Sequence, residues 1–109
     1  MAARILAFCG SARTGSLNQK VLDIAANGAL DAGAEVTMIS LRDYPMPIYD
    51  GDLEASDGLP EAAVALRAIF AEHQGLLIGC PEYNGTVTPL LKNTIDWVSR
   101  PYENQPGVA

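Results

Sequence analysis

Nine residues near the N-terminus, Gly10-Ser11-Ala12-Arg13-Thr14-Gly15-Ser16-Leu17-Asn18, gather hydroxyls, an amide and a guanidinium between two apolar stretches. At the start of a helix, such a set joins backbone N–H groups at the positive end of the helix dipole. That is anion-binding chemistry, suited to a phosphate. The spacing excludes familiar nucleotide loops. Gly10 and Gly15 meet the glycine spacing of a Walker A loop, but Ser16 stands in the lysine position and Leu17 in that of the magnesium-binding hydroxyl. Ala12 fills the place of the second glycine in the dinucleotide fingerprint. Cys9 and Arg13 are too close in sequence for the thiol-and-arginine cradle of a cysteine phosphatase. A terminal phosphomonoester held by hydroxyls and one arginine remains. The plainer alternative is a polar turn in which Ser16 or Asn18 only caps a helix; the full pattern favours a site.

A second loop, Pro81-Glu82-Tyr83-Asn84-Gly85-Thr86-Val87-Thr88-Pro89, offers a carboxylate, an aromatic ring, an amide and a flexible glycine. Its backbone N–H and C=O groups suit the polar edge of a planar ring. Tyr83 can cover a face of that ring or pack against a partner chain. Alone, Asn84-Gly85 reads as an ordinary turn.

The elements that must position these loops alternate. Ile5–Cys9 is a continuous apolar run, the pattern of a strand covered on both faces in a parallel sheet. A helix follows, with Leu17, Val21, Ile24 and Ala25 on one face, Gly28 and Gly33 bracketing its end, and Gly33 suited to the C-terminal cap. Val36–Leu41 predicts a second strand. Arg42–Pro60 is a long connection with three prolines and two glycines. Pro60 fits the first turn of a helix carrying Val64, Leu66, Ile69 and Phe70, closed by Gly75. Leu76–Cys80 predicts a third strand buried on both faces, and a last helix from about Pro89 places Leu91, Ile95 and Val98 inward. This order predicts an α/β fold with a parallel sheet and right-handed crossovers. With the first strand between the other two, both loops follow neighbouring strands at their carboxyl ends, where ligands bind in such sheets. They are expected to face each other across one crevice, one holding the phosphate while the other meets a planar ring.

Composition narrows the partners. The 109 residues carry a formal net charge of −6 and no basic run, which argues against nucleic-acid binding. No apolar run is long enough for a membrane span, and the N-terminus lacks the order of a secretory signal. Cys9 and Cys80 read as two reduced thiols in a cytoplasmic protein. His73 closes the second helix, where a cation suits the dipole, and has no metal-ligating neighbours in sequence. No metal site is expected.

The chain resembles the NADPH-dependent FMN reductase family through Gly10-Ser11-x-Arg13-x-x-Ser16-x-Asn18 and through Pro81-Glu82-Tyr83-Asn84 running on to Leu91-Lys92-Asn93-x-x-Asp96-Trp97-x-Ser99-Arg100. The resemblance implies a flavodoxin-like, three-layer fold, with Ser11, Arg13, Ser16 and Asn18 around the FMN phosphate. Pro81, Glu82, Tyr83, Asn84 and Gly85 would line the isoalloxazine ring. It also implies NADPH or NADH as donor, a quinone, azo, metal-oxyanion or free-flavin acceptor, and a homo-oligomer, dimer or tetramer. No catalytic side chain is demanded, since the flavin carries the chemistry. Lys92, Asn93, Asp96, Trp97 and Arg100 read as helix patterning, with Asp96 and Arg100 pairing one turn apart and Trp97 in the core or an interface.

Family members run through two more strand–helix units. The chain is therefore expected to be the N-terminal portion of one flavodoxin-like domain, truncated after the third unit in a Pro/Gly-containing loop. An isolated chain is expected to hold FMN weakly and to self-associate through its third strand or lose solubility. A non-catalytic flavin electron carrier and an inactive fragment are the competing readings.

Overall fold

A computed structural model describes residues 2–100. Three parallel strands lie in the order β2-β1-β3, with β1 at Arg4–Cys9, β2 at Glu35–Met38 and β3 at Gly75–Gly79. Helix α1 (Leu17–Asp31) covers one face, and α3 (Glu61–Ala71) and α4 (Pro89–Val98) pack together on the other. The fold is α/β and flavodoxin-like. The central strand has the expected character: Leu6, Ala7, Phe8 and Cys9 are all buried. Leu6 and Phe8 enter the α3/α4 layer, where the Phe8 and Phe70 rings lie 5.7 Å apart, and Ala7 and Cys9 meet Leu22 of α1.

β3 departs from its predicted burial. Leu77 packs against the α1 side, whereas Leu76 and Ile78 are exposed, because β3 pairs only with β1 and no described helix seals its other face. β2 is shorter than predicted. Leu41 leaves the strand to open a 3-10 turn, Leu41–Asp43, whose first N–H groups are capped by Ser40 through Arg42 N at 3.3 Å.

The buried face of α1 is also not the predicted one. Leu22 and Ala26 face the sheet, while Leu17, Val21 and Ile24 are 73%, 64% and 73% exposed, and Ala25 is exposed with them. Gly79 explains the choice. A Cβ there would stand 2.9 Å from Asn18 O and 3.1 Å from Leu22 Cβ, so the helix approaches the sheet where β3 has no side chain. Gly28 lies inside α1, but Gly33 follows the C-cap residue Ala32 with φ +97°, as its C-terminal role requires.

The long connection holds a helix the sequence did not reveal, α2 (Gly51–Asp57), capped by Asp50. The connection is strapped to α4. Trp97 Nε1 and Asn93 Nδ2 donate to Pro47 O at 2.8 and 2.9 Å, and Tyr49 N donates to Asn93 Oδ1 at 2.7 Å. Tyr49 stacks edge-on against the fully buried Trp97, and its hydroxyl donates to Glu54 at 2.7 Å, which lifts the phenol above its ordinary 10.0. Arg100 pairs with Glu54 of α2, not with Asp96, which instead takes Lys92 one turn back.

Pro60 caps α3 from outside rather than entering its first turn. Ala63, Leu66, Arg67 and Phe70 are buried, and Val64 is not. The helix ends at Ala71, four residues before Gly75, which opens β3 instead. Along α4, Leu91 and Val98 are buried as predicted, joined by Thr94 and Trp97, while Ile95 is exposed. The predicted C-terminal loop with Pro101, Pro106 and Gly107 lies outside the described residues. Among those described, no helix is long and apolar enough to cross a membrane.

If Gly79 sets the approach of α1, Gly79→Ala should lower unfolding stability by about 1–3 kcal/mol. An unchanged urea midpoint would contradict this packing.

Candidate binding site

The first loop begins as a continuation of the sheet. Gly10 N donates to Gly79 O at 2.7 Å, and the chain then leaves β1 toward α1. Gly15 adopts φ +72°, and Ser16 caps α1, its Oγ accepting from Gln19 N at 3.3 Å. Ser11 Oγ accepts from Arg13 N at 3.3 Å, and the Arg42 guanidinium donates to Ala12 O from across the β2 side. These bonds fold the loop around a cavity of about 360 Å³ lined by Ser11, Arg13 and Ser16. Asn18 is not on the lining. It sits in the first turn of α1, with its carbonyl against Gly79.

Three further lining residues, Gln19, Lys20 and Ser40, were not singled out in the sequence. Ser40 follows β2 at its carboxyl end, so the rule that located the other loops also points to it. Lys20 lies one helical turn after the cap Ser16 (its N–H meets Ser16 O at 3.3 Å), which puts both on one side of α1.

In the second loop, Tyr83 and Thr86 exchange backbone hydrogen bonds at 3.0 and 3.2 Å. Asn84 and Gly85 between them have φ of +53° and +84°. This is a tight two-residue turn with positive φ at both centres, which Asn-Gly adopts readily. Glu82 Oε2 accepts from Gly85 N at 2.8 Å, so its carboxylate closes the turn. A largely apolar cavity of about 630 Å³ opens beside it, lined by Tyr83, Asn84, Thr86, Val87, Pro89 and Lys92. Of the five predicted ring-loop residues, Tyr83 and Asn84 reach this lining; Pro81, Glu82 and Gly85 do not.

The two loops line two cavities rather than one crevice, and they are joined beneath. Thr88 Oγ1 donates to Gly10 O at 2.6 Å and accepts from Leu91 N at 3.1 Å, so one buried hydroxyl ties the first loop and caps α4. Gly10 permits the approach: a Cβ there would stand 2.7 Å from Cys80 Sγ and 3.1 Å from Thr88 Oγ1. Cys9 and Cys80 are both free thiols. Register pairs Cys9 with Gly79, so the next residue, Cys80, points to the opposite face of the sheet. Among the described residues, no three His, Cys, Asp or Glu side chains gather as a metal site would require.

Compared with known proteins, residues 3–109 match the family of NADPH-dependent FMN reductases. An NAD(P)H:quinone oxidoreductase of Solanum tuberosum is 36% identical over 100 residues, covering 90% of this chain and 50% of the relative. A quinone reductase of Escherichia coli is 37% identical over 98 residues, covering 89% and 50%. FerB, a flavoenzyme NAD(P)H:(acceptor) oxidoreductase from Paracoccus denitrificans, superimposes with a TM-score of 0.73 at 29% identity, over 95% of this chain and 54% of that one. An NAD(P)H:quinone oxidoreductase from Methanothermobacter marburgensis gives a TM-score of 0.74 at 17% identity, over 90% and 54%, a likeness of fold alone. The chain spans about half the length of the curated relatives it matches.

Thr88→Val removes a donor to Gly10 and the cap of α4 together, leaving a buried carbonyl and a helix N–H without partners. Equilibrium unfolding should show a loss of about 1–3 kcal/mol. A loss within the noise of the measurement would mean the loops are held together elsewhere.

Proposed function

The chain belongs to the NADPH-dependent FMN reductase family, and from that premise we propose that it holds FMN between its two loops as part of an NAD(P)H oxidoreductase. The observation that carries the reading is the cavity at the start of α1. Its lining brings together the Ser11 and Ser16 hydroxyls and the Arg13 guanidinium, and no carboxylate side chain lines it. Ser40, Gln19 and Lys20 complete the lining with further donors. A phosphomonoester fits this set, which is rich in donors and positively charged.

In this reading Arg13 and Ser11 bind and orient the phosphate. Ser16 serves both the phosphate and the helix it caps. Asn18, off the lining, serves the first turn of α1 against Gly79 rather than the phosphate itself. Tyr83 and Asn84 border the ring, and the Pro81–Gly85 backbone supplies the polar contacts along its edge, with Glu82 keeping that backbone in shape through Gly85. The apolar walls at Tyr83, Val87 and Pro89 limit water beside the ring and suit a planar, weakly polar acceptor such as a quinone. Bound FMN supplies the redox chemistry, accepting reducing equivalents from a nicotinamide donor and passing them to the second substrate. Azo compounds, metal oxyanions and free flavins are further acceptor classes within the proposal. A homo-oligomer belongs to it as well, and so does a reducing, cytoplasmic setting, which the two free thiols fit.

Arg13→Ala tests the assignment against riboflavin, which has the ring but no phosphate. FMN affinity should fall by about 1.5–3 kcal/mol while riboflavin affinity holds. Flavin fluorescence titration reads both, and equal losses for the two ligands would move the phosphate away from this loop.

A further inference from the structure

The chain has seven Lys and Arg residues, all described. Five are engaged: Arg4 faces Glu35, Arg42 the Ala12 carbonyl, Arg67 the Arg100 carbonyl, Lys92 Asp96, and Arg100 Glu54. Among the described residues, the side chains of the remaining two, Arg13 and Lys20, meet no carboxylate and no hydrogen-bond acceptor. In a chain of net charge −6, these two cations line the same cavity.

We propose that Lys20 is a second phosphate-binding cation that makes this cavity selective for a terminal phosphomonoester in its dianionic form. The inference rests on the FMN reading and sharpens it. A phosphomonoester carries about −1.5 to −2 charges near neutral pH, with its second ionisation near pH 6. A single arginine leaves much of that charge unmatched, and two cations match it. A phosphodiester, with one charge per phosphate and no free end, gains less from the second cation. Lys20 stands one turn beyond the cap Ser16, and side chains on a helix lean toward its N-terminus, which carries the ammonium over the loop. The flanking residues leave it free to do so. Gln19 gives its amide to Asp23 at 2.9 Å, so the nearest carboxylate along α1 has its own donor, and Arg42 is held on Ala12. The single histidine, His73, meets Ile69 O and Thr37 and is not on the lining.

The test compares FMN and riboflavin binding to the full chain and to Lys20→Gln and Lys20→Arg at pH 7.5 and 5.5. Lys20→Gln should weaken FMN about fivefold or more at pH 7.5 and leave riboflavin unchanged, while Lys20→Arg keeps most of the affinity. Protonation of the phosphate should weaken FMN in the native chain as pH falls, and the fall should be smaller in Lys20→Gln. Equal weakening of both flavins, or no change in either, would overturn the role of Lys20. A native chain with no preference for FMN over riboflavin would instead sink the FMN reading. Inorganic phosphate, followed by amide shifts of residues 15–20, then decides on Lys20 alone: weaker binding to Lys20→Gln supports it, and equal binding overturns it.

Discussion

The arrangement depends on the contact between Gly10 and Thr88. With no Cβ at Gly10, the Thr88 hydroxyl reaches its carbonyl at 2.6 Å, and Cys80 packs directly against the same backbone. That hydroxyl is also the cap of α4. The point where β1 turns into the first loop is thus fixed to the point where the second loop becomes a helix. The two loops are therefore tied at their base by a buried hydrogen bond between residues far apart in sequence. A side chain at Gly10 would separate the loops, and loss of the hydroxyl would free both.

A second clasp keeps the outer parts of the fold in place. The signature residues Asn93 and Trp97 both donate to Pro47 O, Asn93 also takes the N–H of Tyr49, and Arg100 reaches Glu54. Residues that resemble a family pattern without touching either cavity thereby gain a physical task. They fasten the long connection after β2 to α4, the helix that Thr88 starts. Lys92, from the same pattern, instead combines an ion pair along the helix with a place on the wall of the second cavity.

The strand order and the position of both loops were legible because buried parallel strands write themselves as unbroken apolar runs, and ligand loops follow their carboxyl ends. The cap at Ser16 was legible from hydroxyl chemistry. Burial was less so. Leu17, Val21 and Ile24 form a sound apolar stripe, yet Gly79 draws the Leu22–Ala26 line onto the sheet, a tertiary choice that periodicity does not encode. The other flank of α1, with Asp23 and Leu30, shares a cavity with Val36 and Met38 of β2, and the stripe is left to solvent. Helix α2 escaped notice because seven residues among prolines and glycines give too short a pattern, and its stability comes from Asp50 and from Glu54 meeting Tyr49 and Arg100. Lys20 was missed because an exposed lysine on a helix reads as solvated surface; only the accounting of charge partners in space singles it out.

The most direct test is a crystal structure of the chain with FMN bound. Density for the phosphate between Ser11, Arg13 and Ser16, with the ring running toward Tyr83 and Asn84, is the expected result. Phosphate density at any other part of the surface, with the cavity at the start of α1 left to solvent, would contradict the assignment of the two loops.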